Sequence, residues 1–250
     1  TQEAIACVNY INAQIEDNTM ENVGGGILFH FSKTSNDSIY TYIKNGKQAY
    51  HGELRTNSQS SIQNNIIETQ YHSLCDKNVG IELYGKKISQ ERRSADNDVI
   101  PVADYFIEGV TVCNNKITSA GYGINLNDAK NNLIMNNTVI GANYNNTDPL
   151  CQQYNGIRVS NGSVGNAINN NTISGIHQTG ILLFDNSSAT TINGNKISNC
   201  SAYGIRLNKN CNVTLSLQNN TIYNCPQGAI ISGEKSGCTI AGGILQNTIQ

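Results

Sequence analysis

Two short patterns alternate along this 250-residue chain, and no other feature limits its fold so tightly. The first, apolar-x-x-Asn-x-apolar, occurs as Ile15/Asn18/Met20, Ile62/Asn65/Ile67, Val112/Asn115/Ile117, Ile134/Asn137/Val139, Ile168/Asn171/Ile173, Ile192/Asn195/Ile197, Leu217/Asn220/Ile222 and Ile244/Asn247/Ile249. The second, Gly-apolar-x-apolar, starts at Gly26, Gly80, Gly123, Gly156, Gly180 and Gly204, with a looser copy from Gly228 to Ile231. From Asn171 to Asn220 the unit length is 24 or 25 residues. A period of that size points to a repeat architecture. Each unit holds short period-2 apolar segments separated by Gly and Asn, which predicts three strands and tight turns rather than helices. So short a unit cannot bury its own apolar face. The units must therefore stack into a solenoid, with strands pairing parallel at about 4.8 Å per rung.

Asparagine at one place per turn then stacks along the axis, each amide donating to one neighbour and accepting from the other. The ladder accounts for eight of the chain's 39 asparagines. Charged residues make up 14% of the chain, with a formal net charge of −2. No basic patch is available for counterion release, so an electrostatic nucleic-acid binder is excluded. Few charges together with 31 isoleucines argue against disorder. No apolar run is long enough to span a membrane. The chain starts without Met and without a signal-like apolar segment, so a processed or excised chain is expected.

The paired patterns, over about residues 4 to 250, resemble the right-handed parallel β-helix, or pectin-lyase-like, repeat family. That resemblance implies an all-β, single-stranded solenoid domain over residues 1–250, with about eight coils. Members of the family include polysaccharide lyases, polygalacturonase-type hydrolases, uronan epimerases, phage tailspikes and noncatalytic adhesins or periplasmic proteins. Fold alone therefore does not select an activity.

Chemistry is expected where the spacing breaks. Four insertions interrupt the repeat, near residues 30–58, 68–79, 84–105 and 141–154, and they flank one strand column from both sides. By resemblance, this column is the first sheet, on which family enzymes place their sites. Long loops on both edges of a sheet make a groove. Eight of the 12 tyrosines, three of the four histidines and nine of the 16 Lys and Arg fall inside the insertions. Tyrosine offers a face to stack on a sugar and a hydroxyl to bond its edge, so Tyr71, Tyr144 and Tyr154 are candidate substrate contacts; the alternative is that loop tyrosines anchor loops to the coil. Absence of Trp weighs against the carbohydrate reading.

Period-2 alternation assigns two outward columns on the first sheet, Leu28, Glu82, Asn125, Arg158, Leu182, Arg206 and His30, Tyr84, Asn127, Ser160, Phe184, Asn208. Lyase or epimerase chemistry on a uronan needs a cation for the carboxylate and a group that moves a proton. Arg158 is the candidate carboxylate binder, with Tyr84, His30 or His72 as base and acid. Asn125, Asn127 and Asp128 are candidate substrate ligands. A hydrolase needs two carboxylates about 5 to 9.5 Å apart; Asp128 and Asp185, in one column two rungs apart, and Glu82 are the candidates, although Asp is also an ordinary turn residue. The alternative for Glu82 and Arg158 is plain solvation. No cofactor is expected. Glu91, Asp96, Asp98 and Asp104 raise calcium, but they lack an EF-hand spacing and are interleaved with Arg92 and Arg93, which favours a solvated loop.

Cys200 and Cys225, and likewise Cys211 and Cys238, occupy matching positions on adjacent rungs, so each pair is close enough for a disulfide or for stacked thiols. Cys75 and Cys151 each lie five residues before the strand glycine, inside insertions, and could tie two groove loops together. Cys7 and Cys113 have no matching phase and are expected to be thiols. Residues 4–7 are read as a strand, against a competing capping helix over 1–13. On the strand reading the chain is part of a longer one or its coil ends are covered, by a homo-oligomer or by head-to-tail contacts. The functional expectation is an extracellular or particle-associated polysaccharide-binding β-helix, secreted, on a cell surface or on a virion. It is a lyase, epimerase or hydrolase if an enzyme; the alternative is a noncatalytic structural or adhesive solenoid.

Overall fold

The computed structural model describes residues 3–8, 12–30, 41–44, 47–50, 59–70, 78–88, 92–93, 99–100, 103–142, 154–208, 210–232, 239–240 and 247–249. The described residues are all-β, and three eight-stranded sheets run the length of the coil. In the first sheet Glu3–Val8, Gly25–His30, Ile81–Tyr84, Ile124–Asn127, Ile157–Ser160, Ile181–Leu183, Tyr203–Leu207 and Gly228–Ser232 lie side by side in chain order, all parallel. Every coil adds one strand to each sheet, as the alternating patterns require. Strand Glu3–Val8 decides the competing readings of the N-terminal segment in favour of the strand.

Side chains alternate across each strand, so the coil interior receives the same position from every rung. Ile27, Ile81, Ile124, Ile157, Ile181 and Ile205 form one such stack, each at most 1% exposed. Ile62, Val112, Ile134, Ile168 and Ile192 repeat it in the second sheet, and Ile67, Ile117, Val139, Ile173 and Ile197 in the third. β-branched side chains suit a half-buried pleat, and each contributes about 1.5–3 kcal/mol on burial. This is where the isoleucine excess goes.

All eight predicted asparagines form the ladder. Nδ2 of Asn18 donates to Oδ1 of Asn65, and the chain of 2.9–3.1 Å bonds continues through Asn115, Asn137, Asn171, Asn195 and Asn220 to Asn247. The second Nδ2 hydrogen of each, from Asn65 onward, reaches a backbone carbonyl of the preceding coil, as from Asn171 to Ile134. A shorter second ladder, absent from the sequence reading, joins Asn132 to Asn166 at the turn into the second sheet. A further share of the asparagine excess is conformational. Of 17 described non-glycine residues at positive φ, 13 are Asn and three are Asp, and Asn64, Asn114, Asn136, Asn170 and Asn219 each directly precede a ladder asparagine. Asparagine tolerates that left-handed region better than other side chains.

The strand glycines answer a different constraint. A Cβ on Gly180 would run into Cγ2 of Ile197 and lie 2.7 Å from the carbonyl oxygen of Gly204, and Gly80, Gly123, Gly156 and Gly204 face equivalent contacts. Neighbouring coils approach too closely there for any side chain. In the final copy the register places Ala229 opposite Gly204, one residue beyond the glycine read from the sequence.

Two insertions contain antiparallel hairpin strands. Thr41–Lys44 pairs with Lys47–Tyr50, and Lys86–Ile88 and Arg92–Arg93 pair with Ala103–Tyr105 and Val99–Ile100. Both lie beside the first sheet in sequence, next to its strands ending at His30 and Tyr84.

Candidate functional site

The outward columns of the first sheet fall as alternation predicts. Leu28 is paired with Glu82, Glu82 with Asn125, Asn125 with Arg158, Arg158 with Leu182 and Leu182 with Arg206. Beside them His30 is paired with Tyr84, Tyr84 with Asn127 and Asn127 with Ser160. Rigid ladder pairing therefore sets four rungs of polar side chains about 4.8 Å apart. Leu28, His30, Glu82, Tyr84, Asn125, Asn127 and Arg158 line a groove of about 440 Å³ together with Glu3 and Tyr122.

Inside the groove the side chains hold one another. Nδ2 of Asn125 donates to Oε1 of Glu82 at 2.7 Å. Nη1 of Arg158 donates to the hydroxyl of Tyr122 at 2.9 Å. The guanidinium also lies between two rings, 5.1 Å from the centre of Tyr122 and 5.7 Å from that of Phe184. Cation–π contact of this kind adds to the hydrogen bond in fixing the side chain. His30 stacks on Tyr84 with ring centres 5.3 Å apart. Nδ2 of Asn161 donates to Oδ1 of Asn127 at 2.8 Å, which directs the Asn127 amide nitrogen elsewhere. Two buried atoms in this constellation have no hydrogen-bond partner, Oδ1 of Asn125 and Nε of Arg158.

Glu82, Tyr84, Arg158, His30, Asn125 and Asn127 are thus brought together. Tyr154 takes a different place from the one expected of a substrate contact: it is 3% exposed and packs edge-on against Tyr122 at 5.0 Å, so it supports the groove wall from below. Asp128 and Asp185 sit at positive-φ turn positions, 46° and 58°, just beyond the strands. Neither is among the described residues that line the groove. Ser160, though in an outward column, is 1% exposed, with its hydroxyl turned to the carbonyl of Leu126. His72, Tyr71 and Tyr144 lie outside the described residues. Tyr122 and Glu3 were not singled out from the sequence because each precedes its period-2 segment, where strict alternation no longer tells inside from outside.

Among the described residues no three His, Cys, Asp or Glu side chains are placed to hold a metal ion. Of the calcium candidates, Glu91, Asp96 and Asp98 lie outside the described residues, and of Asp104 only the backbone is described. Cys7, Cys113, Cys200, Cys211 and Cys225 are thiols; Cys75, Cys151 and Cys238 lie outside the described residues. Burial raises the Cys200 thiol far above its ordinary value, and the adjacent Cys225 thiol adds to this, as expected of stacked thiols on neighbouring rungs. Cys211 occupies the turn position of Ser163 and Ser187, and like them donates to the carbonyl three residues before it.

Among the described residues no helix is long and apolar enough to cross a membrane. No curated protein and no solved structure gives a significant match to the chain. A family model for the right-handed β-helix region matches residues 104–248, more than half of the chain. With three parallel sheets, a continuous asparagine ladder and this match, the chain belongs to the right-handed β-helix family.

Proposed function

We propose that the protein binds a polysaccharide in the groove over its N-terminal coils, outside the cell or on a particle surface. The observation that carries this reading is the groove itself: about 440 Å³, within the range of small-molecule sites, and lined by aromatic and hydrogen-bonding side chains on successive rungs. A linear polymer presents repeating rings and hydroxyls, and a solenoid presents repeating receptors for them. Tyr84 and Tyr122 offer ring faces and hydroxyls, and Glu82, Asn127 and Arg158 offer acceptors and donors. Affinity electrophoresis through gels containing different polysaccharides tests the reading. Retardation by at least one polymer is expected, weakened about tenfold in Tyr84→Ala and Arg158→Ala, since groove-centre aromatic and Arg contacts dominate binding. Retardation unchanged in both variants would remove the groove from the account.

A second reading, a noncatalytic adhesive solenoid, is favoured by the Arg158 guanidinium, fixed between two rings as a contact surface. Turnover separates a groove that cleaves its polysaccharide from such a solenoid. New reducing ends would identify a hydrolase, and unsaturated uronide absorbance a lyase, with His30, Glu82 and Tyr84 as proton-transfer groups. Binding without either product favours the adhesive solenoid.

A further inference from the structure

We propose that the subsite formed by Asn125 and Arg158 takes a sugar hydroxyl, and that the glycan the groove selects is neutral rather than a uronan. This rests on the polysaccharide reading above and narrows it to a substrate class. Asn125 is 5% exposed and its amide orientation is fixed, because Nδ2 is given to Oε1 of Glu82. What remains is an acceptor, Oδ1, with no hydrogen-bond partner among the described residues. On the adjacent rung, in register, Arg158 has given Nη1 to Tyr122, and its Nε is a donor in the same condition. One unfilled acceptor and one unfilled donor thus share neighbouring positions, about 4.8 Å apart along the sheet.

A hydroxyl satisfies both at once, donating to Oδ1 of Asn125 and accepting from Nε of Arg158. A carboxylate can only accept. It would satisfy Arg158 while setting its second oxygen against Oδ1 of Asn125, with the Glu82 carboxylate one rung further on. Glu3 and Glu82 also lie along the described groove lining, and a like-charged carboxylate placed beside either is disfavoured. Both unfilled atoms are shielded from solvent, so binding requires the hydroxyl to take the place of the Arg158 contact with Tyr122.

The test uses a panel of uronans, each paired with the same polymer after chemical reduction of its carboxylates to primary alcohols, plus unmodified neutral glycans. Binding is measured by calorimetry for the native protein, Glu82→Gln and Asn125→Ala, with circular dichroism confirming the fold of each variant. The native protein is expected to bind at least one neutral polymer, and to prefer it over its uronan parent by about tenfold or more. Glu82→Gln removes one repelling charge while keeping an oxygen for Asn125, so it narrows that preference. Asn125→Ala weakens neutral binding about tenfold. Tighter binding of the uronans, or neutral binding that Asn125→Ala leaves unchanged, overturns the hydroxyl subsite and leaves the polysaccharide reading standing. Failure to bind any polymer of either class overturns both.

Discussion

Asn170 and Asn171 are neighbours of the same type, held for opposite reasons. Asn171 is buried, and its side chain bonds Asn137, Asn195 and the Ile134 carbonyl. Truncation leaves buried donors and acceptors of two coils unfilled, at about 1–3 kcal/mol each. Asn170 is exposed at φ 57° and its side chain matters mainly for tolerating that conformation. Asn171→Ala is therefore expected to cost about 3 kcal/mol, Asn170→Ala about 1–2 kcal/mol, and Asn170→Gly almost nothing, measured as urea midpoints. Equal losses at the two positions would contradict the ladder as the source of stability. Gly180→Ala tests the second constraint. Its Cβ meets the backbone of the next coil, which cannot move aside, so a loss of about 1–3 kcal/mol or more is expected although alanine is the smallest replacement.

Single strands of the first sheet carry the site, and their legibility in the sequence was uneven for a physical reason. Within Ile81–Tyr84, Ile124–Asn127 and Ile157–Ser160, pleat alternation fixes which way each side chain points, and the outward positions of Glu82, Asn125 and Arg158 follow from period two alone. At strand ends the pleat stops. Tyr122 has the parity of the buried Ile124 yet lines the groove, and Glu3 has that of Ile5. Asp128 takes a left-handed turn conformation, which no pattern of apolar residues encodes. The short ladder of Asn132 and Asn166 was legible in principle, since each lies two residues before an inward isoleucine, but only two rungs share it. Tyr122→Phe isolates one contact in this element. It removes the hydroxyl that accepts from Arg158 and keeps the ring beneath the guanidinium. Stability is expected to fall by about 0.5–1.5 kcal/mol, with glycan affinity altered and the fold intact by circular dichroism.

Across the whole molecule each coil touches only its neighbours, so local substitutions should unzip nearby coils before distant ones. Its pH response is also distributed along the coil. Burial raises Cys7, Cys113 and Cys200 above the ordinary thiol value of 9.0. The folded chain holds these protons more tightly than the unfolded one, so their stabilising effect is complete below pH 9.0 and is lost as pH rises beyond it. Urea midpoints should accordingly fall on the alkaline side, and Cys200→Ala should flatten that fall; an unchanged alkaline slope would exclude Cys200 as its cause. The proposed function, by contrast, is concentrated. The C-terminal coils run with little interruption, while insertions, aromatic residues and groove chemistry gather on the N-terminal ones. Backbone amide hydrogen exchange, followed with and without a bound oligosaccharide, tests this division most directly. Added protection confined to residues 25–30, 81–84, 124–127 and 157–160 and their adjoining loops is the predicted result. Protection spread over the second or third sheet, with those strands unchanged, would contradict it.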